Sequence, residues 1–144
     1  MKPVLVAALA MILAGCRGHK PGELPTVRYG IDPCARCGMA VSEERFASGY
    51  VDEEGSSVAF DDVGEFLATL RLQPSLAQTS YVHDAQDGRW LRASEAIFVH
   101  IAGLSTPMGT GFAAFSSEAH AQSFGKRLGT GIVPLSLARA IDSL

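Results

Sequence analysis

Two stretches of this chain, 55 residues apart, carry one pattern. Val58-Ala59-Phe60-Asp61-Asp62 and Ala113-Ala114-Phe115-Ser116-Ser117 each join an apolar strand end, a phenylalanine and two short polar side chains. Asp and Ser accept hydrogen bonds from the free N–H groups of a first helical turn, so each stretch predicts a helix start. After the first, Val63, Phe66, Leu67 and Leu70 recur at helical spacing, and Pro74 ends the run. After the second, the helix runs to about residue 128 and stops at Gly129. Strand-like runs precede both: residues 46–51 and 56–60 around the acidic turn 52–55, then 97–101 and 112–115. The pattern predicts an α+β fold of two small related strand–strand–helix units packed together, at about 31–76 and 77–144. Short strands at 80–83 and 90–92 and a C-terminal helix within 135–141 complete the outline.

The N-terminus reads differently. One lysine is followed by an apolar run from Val4 to Ala14, too short to span a bilayer but right for a secretory signal. The run ends Leu13-Ala14-Gly15-Cys16, which looks like a bacterial lipobox. Residues 1–15 are then a lipoprotein signal peptide, and Cys16 is the lipid attachment site. Residues 16–30 carry Gly18, Pro21, Gly22 and Pro25 and read as a flexible tether. The expected location is a bacterial membrane, lipid-anchored and facing the periplasm.

Without residues 1–15 the chain has 129 residues, with 11 basic against 15 acidic side chains, a net charge of −4. That is no footprint for nucleic acid. The length suits one compact domain or two very small units sharing a core.

Removing Cys16 from the count leaves Cys34 and Cys37, inside Asp32-Pro33-Cys34-Ala35-Arg36-Cys37-Gly38-Met39. Two thiols and a thioether in six residues are soft donors, which select Cu(I), zinc or iron–sulfur clusters over magnesium or calcium. Gly38 permits the tight turn that lets Cys37 and Met39 face one ion. By spacing alone a C-x-x-C is also a redox disulfide or a structural pair. So close a pair staples little of a fold, which weakens the structural reading.

Met108 is a further soft donor, set between Pro107 and Gly109 where turn residues argue for exposure. His83, His100 and His120 are possible ligands, each more simply read as structural or solvated. Asp52, Glu53, Glu54, Asp61 and Asp62 suggest a hard-metal site, but a solvated turn plus a helix cap accounts for them.

The lipobox, the Cys34-Ala35-Arg36-Cys37-Gly38-Met39 motif, the Ala59-Phe60-Asp61-Asp62 helix start, and Thr106-Pro107-Met108-Gly109 followed by Ala114-Phe115 together resemble the NosL family. These are bacterial copper-binding lipoproteins that accompany nitrous oxide reductase. The resemblance spans about residues 32–129. It implies Cu(I) binding, delivery of copper to the periplasmic reductase or its maturation machinery, and a fold of two small related α+β units. It carries over Cys37 and Met39 as ligands and Met108 as a further contributor. Cys34 is a second ligand, a redox partner of Cys37 or a bystander.

Two rivals stand beside the chaperone. A thiol–disulfide oxidoreductase would use Cys34 and Cys37, but its motif normally opens a helix after a strand, whereas this one follows a Gly/Pro-rich tether. A general soft-metal-binding or sensing lipoprotein is compatible with the same donors. No Ser, His or acidic residue stands in a recognisable nucleophile context, so the chain does not read as an enzyme.

Overall fold

A computed structural model describes residue 20 and residues 22–144. The signal peptide, the lipobox and Cys16 lie outside the described residues. Among the described residues no helix is long and apolar enough to cross a membrane.

Strand β1 (Ser48–Val51) pairs antiparallel with β2 (Ser57–Phe60), with Ser48 opposite Phe60. The turn between them closes through Gly55 N–H to Asp52 O at 3.1 Å and Ser56 N–H to Asp52 Oδ1 at 2.7 Å. Gly55 takes φ 81° there, a conformation open to glycine at no steric cost. Helix α1 (Val63–Leu72) follows directly, capped by Asp62, which accepts from Gly64 N–H at 2.8 Å. Its apolar stripe, Val63, Phe66, Leu67 and Leu70, is fully buried. Removing water from side chains of this size contributes about 1.5–3 kcal/mol each.

Past a 3-10 turn at Pro74–Gln78, β3 (Ser80–His83) pairs with β1, and β4 (Trp90–Arg92) pairs with β3. The sheet order is therefore β2-β1-β3-β4. All four residues of β3 are buried, so its backbone groups need a partner strand on each edge. This sheet draws β1 and β2 from the first expected unit and β3 and β4 from the second. A second, two-stranded sheet joins β5 (Ile97–His100) to β6 (Phe112–Phe115). Helix α2 (Glu118–Arg127) starts at Ser117, whose side chain accepts from His120 N–H. Leu135 then pairs with Phe98 through two backbone bonds of 2.8 and 2.9 Å, and α3 (Leu137–Asp142) packs Ala140 into the core.

The architecture is α+β, as expected. Two apolar clusters fill it, and the β5–β6 hairpin divides them. Side chains alternate across a strand. Phe98, Phe112 and Ala114 thus enter the larger cluster around α1, while Val99, Ala113 and Phe115 enter the smaller one under α2. That double burial is why both strands read as continuous apolar runs. The 93–96 segment is a hydrogen-bonded turn with Ala96 N–H on Arg92 O at 3.1 Å.

Candidate metal centre

The Asp32–Met39 segment is a tight loop pinned at both ends. Cys34 N–H donates to Met39 O at 2.6 Å, Gly38 N–H to Cys34 O at 2.9 Å, and Val41 N–H to Asp32 O at 2.9 Å. Gly38 holds φ 76°, as the turn requires. Ala35 N–H donates to Ala59 O at 2.7 Å, and Cys34 forms an isolated parallel bridge to Ala59, so the loop is fastened beside β2. Arg28 braces the outer side: its guanidinium and backbone N–H hold the Asp32 carboxylate at 2.6–2.9 Å and keep its pKa below the usual carboxylate range.

Inside the loop both cysteines are free thiols, Cys34 buried and Cys37 partly exposed. The Cys34 thiol donates to Glu65 Oε2 at 3.2 Å, and Cys37 N–H donates to Cys34 Sγ at 3.5 Å. The donor atoms of Cys34, Cys37 and Glu65 all lie within 4.8 Å of one another. Two sulfurs sharing one ion at roughly 2.3 Å each stand at most about 4.6 Å apart, so a small adjustment closes the site. Burial pushes the Cys37 thiol up to about 11, and the neighbouring Cys34 adds to the rise. Incoming metal must therefore displace a proton.

Glu65 belongs to the first turn of α1, three residues past the Asp62 cap. At that spacing a glutamate commonly turns back to the cap amide. Here its side chain instead accepts from a thiol 31 residues earlier. Asp61 and Asp62 were expected as helix-cap candidates; Asp62 is the cap, and both are buried. Asp61 accepts from Ser42 N–H at 2.7 Å and fastens the chain just after the loop. Asp62 caps the helix and also accepts from Thr106 Oγ1 at 2.6 Å, from Met108 N–H at 3.0 Å and from Thr110 Oγ1. Four donors are what allow a buried carboxylate to stay there. Asp52, Glu53 and Glu54 do sit on the solvent side of the β1–β2 turn.

Met108 is thus anchored at the N-terminal end of α1, the end that presents Glu65 to the thiols, and is half-buried rather than exposed as expected. Met39, in the thiol loop itself, has 50% of its surface exposed. The three candidate histidines lie elsewhere: His100 is exposed and stacks on Phe112, His83 is buried between Tyr29 and Gly88, and His120 pairs with Asp84. Glu65 was missed in the sequence. Its only signal was a carboxylate in a first helical turn, a common placement without any metal.

A family model for NosL matches residues 30–136. Among curated proteins none matches significantly. Among solved structures the fold is similar to that of the copper chaperone NosL from Shewanella denitrificans, with a TM-score of 0.60 and 21% sequence identity, over 78% of this chain and 92% of that one. The family match takes in the thiol loop, Glu65 and Met108 together, and the chain belongs to the NosL family.

Proposed function

We propose that this protein is a lipid-anchored, periplasmic Cu(I) chaperone that delivers copper for assembly of the copper centre of nitrous oxide reductase. The observation that carries the reading is the convergence of two free thiols beside an exposed methionine. Family membership and the likeness to a solved copper chaperone support it.

Copper is the cargo. Cys37 is the central ligand, Cys34 a second thiolate within reach, and Met39 and Met108 supply thioethers. Soft sulfur donors suit Cu(I), and a site with few of them stays open to ligand exchange, whereas four thiolates would hold the ion. Capture costs a proton, and Glu65, which already accepts the Cys34 thiol hydrogen, is placed to receive it. Met39, facing solvent, is the donor a partner reaches first during hand-over. The loop setting of Cys34 and Cys37 argues against the oxidoreductase alternative, because the motif of such enzymes normally opens a helix.

The test is a Cu(I) competition titration of the soluble form lacking residues 1–16 against a Cu(I)-specific chelator under reducing conditions. Tight binding that Cys37→Ser abolishes and Met39→Leu weakens is the expected result. Unchanged affinity in the Cys37 variant overturns the assignment. Absent binding together with a readily cycled Cys34–Cys37 disulfide replaces it with the redox reading.

A further inference from the structure

The thiol loop has a backbone twin. Asp84-Ala85-Gln86-Asp87-Gly88 lies 50 residues after Cys34-Ala35-Arg36-Cys37-Gly38. Asp84 N–H donates to Arg89 O at 2.8 Å, where Cys34 N–H donates to Met39 O. Gly88 N–H donates to Asp84 O at 2.7 Å and holds φ 77°, against 2.9 Å and 76° at Gly38. Ala85 N–H donates to Ala114 O at 2.9 Å, and Asp84 bridges Ala114 in parallel, as Cys34 bridges Ala59. The third partner also corresponds: Glu65 follows the Asp62 cap by three residues, and His120 follows the Ser117 cap by three. Each half of the molecule therefore places two loop side chains against the first turn of its own helix.

What differs is the donor chemistry. Sulfur, sulfur and carboxylate in one half become carboxylate, carboxylate and imidazole in the other. The donor atoms of Asp84, Asp87 and His120 all lie within 4.8 Å of one another. Asp84 is fully buried; its Oδ2 accepts from Ser116 N–H at 2.9 Å and meets His120 Nδ1 at 2.7 Å, and its Oδ1 accepts from Gln86 N–H at 2.8 Å. Ser116 Oγ also approaches His120 Nδ1, at 3.2 Å. Asp87 is exposed, and Arg89 Nε donates to its Oδ2 at 2.8 Å. Arg89 stands where the other loop has Met39, so an intramolecular cation sits at the mouth of a site that a thioether flanks in the twin.

We propose that Asp84, Asp87 and His120 form a second cation site, for a borderline divalent ion of the Zn2+ or Cu2+ kind, distinct from the thiol site. Imidazole with carboxylates suits such ions and offers nothing to Cu(I) that the thiols do not offer better. Roughly 2.0–2.2 Å per bond places shared donors up to about 4.4 Å apart, a short closure from the present geometry. Arg89 must leave Asp87 as the ion arrives, so it competes with the metal and holds the affinity down. The proposal stands whether or not the thiols carry Cu(I).

Because Cu2+ oxidises thiols, the experiment uses the full chain in detergent carrying Cys34→Ser and Cys37→Ser, titrated with Cu2+ and followed by electron paramagnetic resonance. A stoichiometric axial signal with nitrogen coupling from one imidazole is expected. His120→Gln should remove that coupling, and His120→Gln and Asp87→Asn should each lower affinity about tenfold or more. Arg89→Ala should raise it. The wild-type chain with Co2+ gives a second reading that needs no cysteine variant: bands of an oxygen–nitrogen site, sensitive to Asp87→Asn, beside any thiolate charge-transfer bands. Absence of binding in both measurements, or binding that survives His120→Gln and Asp87→Asn together, overturns the site.

Discussion

Thr106 Oγ1 donates to the buried carboxylate of Asp62 at 2.6 Å, across 44 residues of chain. One side chain thereby caps α1, ties down the loop that carries Met108, and fixes the helical turn from which Glu65 reaches Cys34.

Asp62→Ala removes the cap and leaves Thr106, Thr110 and the Met108 amide without their acceptor. The expected loss is about 2–4 kcal/mol of folding stability in urea titration, from the cap and the buried donors combined. Cu(I) affinity should fall with it, since this residue fixes the helical turn from which Glu65 reaches Cys34. A loss under about 0.5 kcal/mol, the size of an ordinary surface change, would show that the carboxylate is not the tie argued here.

Gly64→Ala reports the same junction by steric means. In an exposed helix interior this change normally stabilises by about 1 kcal/mol. Here the new Cβ would lie 2.5 Å from Thr110 Cβ, so the sign should reverse. A destabilisation of about 1–3 kcal/mol is expected, with the melting temperature as readout. A stabilised variant would mean the Thr106–Thr110 loop yields freely.

Glu65→Gln should separate metals rather than abolish binding. A carboxylate is a good zinc ligand and a poor Cu(I) ligand. Zinc affinity of the thiol site should drop about tenfold or more, while Cu(I) affinity changes much less. Competition titrations with each metal check this, and equal losses would make Glu65 a ligand to both.

His83 sets a pH dependence. Its Nδ1–H donates to Gly88 O at 2.7 Å, so Nε2 accepts from Tyr29 O–H at 2.8 Å, and the ring stacks on Trp90 with centroids 3.7 Å apart. Burial lowers its pKa below 6.5 and outweighs the opposing pull of Gly88 O and Glu44, while Tyr29, pushed up to about 12, remains a donor. With the folded pKa depressed, the unfolded chain binds the proton first. This stabilisation is whole above the unfolded value and is lost as pH falls from about 6.5 toward the folded value. Stability measured between pH 7.5 and 5.5 should decline more steeply in the wild type than in His83→Gln; parallel slopes would assign the decline to other groups.

Much of the fold was legible because its signals are local. Caps at Asp62 and Ser117, the apolar spacing of Val63, Phe66, Leu67 and Leu70, and the glycine turn at Gly55 act within a few residues, so spacing alone reveals them. Burial was harder to read. A local reading makes Asp61 and Asp62 cap candidates and says nothing of their burial, which only donors 19 to 48 residues away make tolerable. The sheet order was likewise out of reach, because edge and central strands differ in their neighbours more than in their letters.

The sequence by itself determined the soft donors, the helix starts and the twofold echo of the chain, since each is a property of residues next to one another. Tertiary structure alone decided that Cys34 would be buried against Glu65, that Met108 would be held at the same helix end, and that Asp84 and Asp87 would meet His120. Those contacts join residues far apart in the chain, and ordering such loops becomes favourable only once the surrounding core is packed.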